Sequence, residues 1–132
     1  MAGHTIHGIH HVTAIAGDPQ RNLDFYTTVL GLRLVKLTVN FDDPETYHFY
    51  FGNEDGTPGS ILTFFPWPHA RKGAVGSGQV TAVTFAIPPG SGAYWRSRLL
   101  ELGDLCTRGN YELRVGVGMA SEAPPAVNRL GQ

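Results

Sequence analysis

Hydrophobic and polar residues follow two different periods along the first half of the chain. Residues 8–16 form a short β-branched run that is typical of a buried strand. Asp18-Pro19 then predicts a helix start, and apolar residues recur at helical spacing until Gly31 predicts its end. Beyond Gly31 the period becomes two, which predicts three further strands at residues 34–41, 47–51 and 60–65.

The second half repeats this order at an offset of 72 residues. Four identities support the offset and pair Ala14 with Ala86, Ile15 with Ile87, Leu30 with Leu102, and Gly31 with Gly103. The repeat predicts a strand at residues 80–87 and a helix at residues 92–102. Beyond Gly103 the chain is rich in Gly, Ala and Pro, with one strand predicted at residues 111–117 and a tail at residues 120–132.

The predicted fold is therefore α+β, with tandem βαβββ modules that form a curved mixed sheet around an open cleft. Module one covers about residues 6–67 and module two about residues 78–118, followed by the tail at residues 119–132. The 36 residues that follow Gly31 in module one, at positions 32–67, have only 29 counterparts after Gly103. The second module is therefore predicted to be incomplete.

Composition limits the classes of function. The chain has 132 residues, 42% of them hydrophobic and 16% charged, which is typical of one globular domain rather than a disordered chain. A formal net charge of −1 leaves no basic surface for a nucleic-acid backbone. The single cysteine, Cys106, excludes an internal disulfide and a zinc site built from thiolates.

The sequence also carries no signal for secretion or for a membrane. The first five residues lack a basic region followed by an apolar core, and no apolar run approaches the ~20 residues that span a bilayer. We therefore expect a cytoplasmic protein that has no membrane partner.

Several segments resemble the vicinal oxygen chelate superfamily, which includes glyoxalase I, extradiol dioxygenases and bleomycin-resistance proteins. The shared motif comprises His11-Val12, Asp18, Phe25-Tyr26 and residues 29–32. A narrower likeness is to the N-terminal half of ring-cleaving dioxygenases of the hydroquinone type, carried by residues 8–15, 30–36, 38–44, 46–53, 58–59 and 63–67. The resemblance implies an enzyme about twice this length that opens dihydroxylated aromatic rings with oxygen, using Fe(II) or another divalent metal.

His11 is the leading candidate for a metal ligand, since the resemblance places a ligand at this histidine of the first strand. Alternation along a strand predicts that His10 points to the opposite face. A non-haem iron site of this type needs two imidazoles and one carboxylate. The repeat puts Val83, which cannot bind metal, opposite His11. Glu112 is the acidic residue nearest the expected terminal ligand, although the pattern favours a surface role for it. The resemblance implies that the missing ligands come from a second domain, and a homodimer is the other source considered.

His48 and Tyr50 are the candidate catalytic residues. They share one face of a predicted strand and could bind a phenolic substrate or act as acid and base, although structural pairing is the alternative. Further candidates for the cleft, each with a core or solvated alternative, are Lys36, Thr38, Asn40, Phe64, Phe65 and Trp67. His69, beside Arg71 and Lys72, is predicted to be solvated.

Three functions remain open on the sequence alone. The first is a ring-cleaving dioxygenase of aromatic-compound degradation, or an N-terminal fragment of one, with a small aromatic substrate. The second is a metal-free binding protein of the bleomycin-resistance type, which would use the same aromatic cleft to sequester a ligand. The third is a glyoxalase-like lyase or isomerase.

Overall fold

The structure, a computed structural model, describes residues 5–71, 73–74, 76–78, 80, 83–102, 111–113 and 128–130. Its internal contacts divide the chain into two units, residues 1–70 and 71–132. The first unit contains β1 (His11–Ala16), α1 (Pro19–Asp24), a π-helical turn (Phe25–Val29), β2 (Arg33–Val39), β3 (Tyr47–Gly52) and β4 (Ile61–Pro66). The second unit contains α2 (Gly92–Glu101), β5 (Tyr111–Leu113) and β6 (Asn128–Leu130).

The first unit is a four-stranded mixed sheet with the strand order β1-β4-β3-β2. Strand β1 runs parallel to β4, whereas β3 is antiparallel to both β4 and β2. The element order of module one and the α+β class are therefore confirmed. The register pairs Val12 with Leu62, Phe49 with Phe64, and Leu37 with Phe49. It thereby assigns every side chain of the sheet to one of two faces.

The helix begins and ends at the residues that the sequence predicts. The Asp18 carboxylate accepts a hydrogen bond from the backbone N–H of Arg21 at 2.8 Å, and Pro19 occupies the first helical position. At the other end Gly31 has φ +67°, and the N–H of Leu32 donates to the Tyr26 carbonyl at 2.9 Å. A left-handed glycine followed by such a bond is a common helix terminator.

Between these ends the helix differs from the predicted regular α-helix. Beyond Asp24 it widens into a π-helical turn, in which the N–H of Leu30 donates to the Phe25 carbonyl five residues earlier at 3.1 Å. The wider turn rotates the residues that follow it. The buried apolar side chains of this segment are consequently Phe25, Tyr26 and Val29, whereas Leu23 and Leu30 are half-buried.

The core lies between this helical segment and one face of the sheet, which we call the helix face. The Tyr26 ring centroid is 5.1 Å from that of Phe51 and 4.7 Å from that of Phe64. These three side chains, with Val29 and Leu62, are the largest fully buried apolar groups of the described residues. Burial of aromatic rings of this size dominates the energetics of a small core.

The second unit departs from the prediction in two places. The helix predicted at residues 92–102 is confirmed by α2, but the strand predicted at residues 80–87 is reduced, within described residues 83–87, to one isolated bridge at Val83. The predicted tail contains β6, which pairs antiparallel with β5. The prolines that suggested a tail, Pro124-Pro125, precede this strand and therefore do not prevent it. The limits of the two modules stay a prediction.

Within the described ranges, no helix is long and apolar enough to cross a membrane.

We expect Phe64→Ala to destabilise the first unit by about 3–5 kcal/mol, because it leaves a cavity beneath Tyr26 where the ring is 1% exposed. The matched control is Phe41→Ala, where the ring is 96% exposed and the change should stay within about 0.5 kcal/mol. Urea unfolding measures both values. Equal losses in the two variants would contradict this assignment of the core.

Candidate functional site

The face of the sheet opposite α1 carries polar side chains on all four strands. The register pairs Thr13 with Thr63, Thr63 with Tyr50, and Thr38 with His48, and paired residues share a face. We call this surface the polar face, and its members are His11, Thr13, Ile15, Lys36, Thr38, His48, Tyr50, Ile61, Thr63 and Phe65. The structure thus brings the predicted residues His11, His48 and Tyr50 to one surface.

A chain of hydrogen bonds crosses three strands of the polar face. The Tyr50 hydroxyl lies 3.0 Å from Nδ1 of His48, and Nε2 of His48 lies 3.0 Å from Oγ1 of Thr63. The Thr63 hydroxyl then donates to Oγ1 of Thr13 at 2.8 Å. Because every link is of ordinary hydrogen-bond length, the four side chains form a connected network from β3 through β4 to β1.

Sequence reasoning missed Thr13 and Thr63. Thr63 is fully buried, in the middle of the otherwise apolar strand β4. A buried hydroxyl needs a partner, and the two-residue period places this one on the same face as His48. The signal that could have found it was therefore a lone threonine among Ile61, Leu62 and Phe64.

His48 lies in a partly apolar environment. Its ring centroid is 4.0 Å from that of Phe65 and 4.2 Å from that of Tyr50. Burial lowers the pKa of His48 below its usual 6.5, and electrostatic interactions with Lys36 and then His11 lower it further. The imidazole is therefore neutral at pH 7 and can accept a proton.

Lys36 places a positive charge beside Tyr50. Its Nζ atom lies 5.1 Å from the centroid of the Tyr50 ring, which is the geometry of a cation–π contact. Thr38, which is half-buried, lies next to His48 on the neighbouring strand. These two positions of the predicted cleft are on the polar face.

Asn40 has a structural position instead. It lies beyond the end of β2, is buried, and its backbone N–H donates to the Thr46 carbonyl at 2.7 Å. Its side-chain oxygen accepts a hydrogen bond from the Asp42 N–H at 3.1 Å. Asn40 thus stabilises the turn between β2 and β3, and the polar alternation that suggested a cleft role ends at Thr38.

The three aromatic residues of β4 and the following loop that were predicted to line the cleft lie in different environments. Phe64 belongs to the core, Phe65 lies on the polar face, and Trp67 donates from its indole N–H to Oγ1 of Thr46 at 2.8 Å. The rings of Phe65 and Trp67 are stacked with their centroids 6.3 Å apart. His69 is exposed, as predicted, and borders a pocket of about 390 Å³ that no residue of the polar face lines.

The two adjacent histidines do not point to opposite faces. Strand β1 begins at His11, so the alternation used for the prediction does not extend to His10. The Nδ1 atoms of the two rings lie 3.0 Å apart, and the ring planes are nearly perpendicular. One neutral ring must donate its Nδ1–H to the other, which leaves only the donor ring with a free Nε2 lone pair. Because the two rings share this proton, only one of the two histidines can bind a metal through Nε2.

The described residues do not complete an iron site. No group of three or more His, Cys, Asp or Glu side chains that could hold a metal ion occurs among them. Glu112 lies in β5 of the second unit, in register with Arg129, and its ligand role stays a prediction. Cys106 lies outside the described residues. The polar face thus carries two imidazoles, those of His11 and His48, but no carboxylate, and it does not supply the two-histidine, one-carboxylate set of a typical iron site.

Comparison with known proteins extends this picture. The model of the Glyoxalase/Bleomycin resistance protein/Dioxygenase superfamily matches residues 8–97. "Putative ring-cleaving dioxygenase MhqO" of Bacillus subtilis is 64% identical over 92 residues, covering 70% of this chain and 30% of the relative. "Chlorohydroquinone/hydroquinone 1,2-dioxygenase" of Sphingobium indicum is 40% identical over 98 residues, covering 73% of this chain and 30% of the relative. This chain therefore spans about a third of the length of these relatives.

Solved structures agree with the fold. A crystal structure of a "putative dioxygenase" from Bacillus subtilis superposes with a TM-score of 0.71 at 55% identity, covering 84% of this chain and 34% of that one. The fosfomycin resistance protein FosX of Listeria monocytogenes, solved with Mn(II), gives a TM-score of 0.54 at 14% identity, with coverages of 83% and 77%. At that identity the likeness concerns the fold only. The match over residues 8–97 shows that the chain belongs to the glyoxalase/bleomycin resistance/dioxygenase superfamily.

Proposed function

We propose that this chain is the N-terminal part of an Fe(II)-dependent dioxygenase that opens dihydroxylated aromatic rings. The observation that carries the proposal is the hydrogen-bonded chain from Tyr50 through His48 and Thr63 to Thr13, on the same face as His11. The names of the relatives support this reaction class and a substrate of the hydroquinone type. The polar face supplies the groups that such a substrate needs.

In this proposal His11 supplies one metal ligand through Nε2. Its Nδ1 lies 3.0 Å from Nδ1 of His10, and in this role the Nδ1–H of His11 would donate to His10, a hydrogen bond of the kind that fixes the ring orientation of a metal-binding histidine. The remaining donors would come from a second domain or a second chain, and Glu112 of the second unit stays a further candidate. When bound, Fe(II) supplies the redox chemistry with oxygen, whereas the residues below bind and deprotonate the substrate.

Tyr50 and His48 form the route for the substrate proton. A substrate hydroxyl donates to the Tyr50 oxygen, whose own proton is shared with Nδ1 of His48 at 3.0 Å. On transfer, the substrate proton moves to Tyr50 and the Tyr50 proton moves to His48. The substrate becomes a phenolate and His48 an imidazolium, so the protons balance. A neutral histidine at pH 7 is suited to this role of general base.

The surroundings of this pair suit an aromatic ligand with a developing negative charge. Lys36 provides a positive charge within 5.1 Å of the Tyr50 ring centroid, which would favour a phenolate nearby. Phe65 provides an apolar ring on the same face, stacked with Trp67. Flat aromatic rings pack well against such surfaces.

The proposal is tested with a chimera of the Sphingobium indicum dioxygenase in which the aligned N-terminal segment is replaced by the matching residues of this chain. After anaerobic loading with Fe(II), we expect hydroquinone-dependent oxygen uptake. His11→Ala in the chimera should reduce the uptake at least about 100-fold, because it removes a metal ligand. His69→Ala is the matched control, since this exposed histidine is off the polar face.

The parent dioxygenase serves as the positive control, and circular dichroism checks that the chimera is folded. A folded chimera that contains iron but takes up no oxygen would contradict the proposal. Binding of hydroquinone to the present chain that is unchanged by chelators and by His11→Ala would instead favour a metal-free binding protein.

We expect His48 to titrate below pH 6.5 in the folded chain, and Lys36→Met to raise its pKa part of the way. The recovery is partial because burial, the larger cause, remains. Since the unfolded chain binds this proton at higher pH, His48 should lower stability as the pH falls from about 6.5 toward its folded pKa. NMR titration of the imidazole measures the pKa. Arg21→Met, which removes an equal charge from α1, is the control and should change nothing.

A pKa for His48 at or above 6.5, or one that Lys36→Met lowers further, would contradict the neutral base.

A further inference from the structure

The Thr63 hydroxyl is enclosed between two partners on the polar face. Its side chain is fully buried, with Oγ1 2.8 Å from Oγ1 of Thr13 and 3.0 Å from Nε2 of His48. A hydroxyl carries one proton and can donate only once. The hydrogen-bond network assigns the Thr63 proton to Thr13, and with that assignment Thr63 can only accept a hydrogen bond from His48.

The direction of the hydrogen bond between Thr63 and Thr13 determines the donors and acceptors in the rest of the hydrogen-bond network. To donate to Thr63, His48 must carry its proton on Nε2, and a neutral imidazole has only one N–H. Its Nδ1 is then an acceptor, so the Tyr50 hydroxyl must be the donor across their 3.0 Å contact. With its proton engaged by His48, Tyr50 presents oxygen lone pairs to any ligand on the polar face.

We propose that Thr63 is a positioning residue that holds neutral His48 in the Nε2–H tautomer and thereby makes Tyr50 an acceptor for a ligand hydroxyl. The polar face then selects ligands that donate a hydrogen bond, such as phenols and hydroquinones, over ligands that only accept, such as quinones and phenol ethers. The inference deepens the proposed function and rests on it for the ligand. The tautomer itself is a property of the free chain.

The opposite direction would give a different site. If Thr13 donated to Thr63, the Thr63 proton would turn to Nε2 of His48, and His48 would carry its proton on Nδ1. Tyr50 would then accept from His48 and turn its own proton outward, toward a ligand that accepts. The tautomer of His48 therefore reports the direction of all three hydrogen bonds.

The experiment is ¹⁵N NMR of the free chain labelled at histidine, at a pH where His48 is neutral. We expect the Nε2–H form in the unsubstituted chain. Thr63→Val, which keeps the shape and removes the hydroxyl, should populate the Nδ1–H form, whereas Thr63→Ser should restore the original spectrum. Thr38→Val makes the same change beside His48 on the neighbouring strand, outside the hydrogen-bonded chain, and should have no effect.

A sharper variant is Thr13→Val, which removes the acceptor of the Thr63 proton without touching His48. The buried Thr63 hydroxyl then has only Nε2 of His48 to donate to, and an unsatisfied buried donor is costly. We therefore expect the Nδ1–H form to become the major one. This reversal runs against the preference of free histidine in water, which favours Nε2–H.

An Nδ1–H tautomer in the unsubstituted chain would overturn the inference. So would spectra of Thr63→Val and Thr13→Val that match the unsubstituted chain, provided circular dichroism shows both variants folded. The readout needs neither iron nor substrate. It decides this inference even if the chimera takes up no oxygen.

Discussion

The packing of Tyr26 against Phe51 and Phe64 is the interaction on which the rest of the first unit depends. These rings are 1% exposed or less, and their positions determine which side of β3 and β4 faces the helix. Because side chains alternate along a strand, a slip of one residue would exchange the two faces and expose the aromatic core. The cost of such exposure keeps His48 and Thr63 on the opposite side. A hydrophobic contact thus positions a polar network that it does not touch.

The polar network in turn joins strands that are far apart in sequence. Thr13 and Thr63 are 50 positions apart and meet because β1 pairs in parallel with β4. In a partly buried setting each hydrogen bond is stronger than in water, and a broken link is more expensive. The network therefore fixes the direction of each hydrogen bond as well as the positions of the side-chain atoms. A site for a small phenolic ligand requires both. His11 lies two residues from Thr13, so the candidate metal ligand and one end of the polar network share strand β1.

The two-residue and helical periods predicted the first unit well, since apolar and polar residues alternate along β2 and β3 and the helix has strong signals at Asp18 and Gly31. The π-helical turn was not predictable from period alone, because the hydrophobic spacing of this segment also fits a regular α-helix. The second unit was predicted less well, because the positions of its strands depend on pairing partners that the hydrophobic pattern does not identify. The sequence predicted that His48 and Tyr50 share one face of a strand. Their connection to Thr63 and Thr13 could be found only from the register between β4 and its two neighbouring strands. The contact between His10 and His11 also required coordinates, because it depends on where β1 begins.

The central claim is that the polar face, and not the helix face, receives a dihydroxylated ring. Methyl NMR with hydroquinone under anaerobic conditions tests it directly, because methyl groups of both faces can be followed at once. The account predicts shifts at Ile15, Ile61 and Thr63, whose register places them on the polar face. Shifts confined to Leu37 and Val39, which are exposed on the helix face beyond the core, would contradict it.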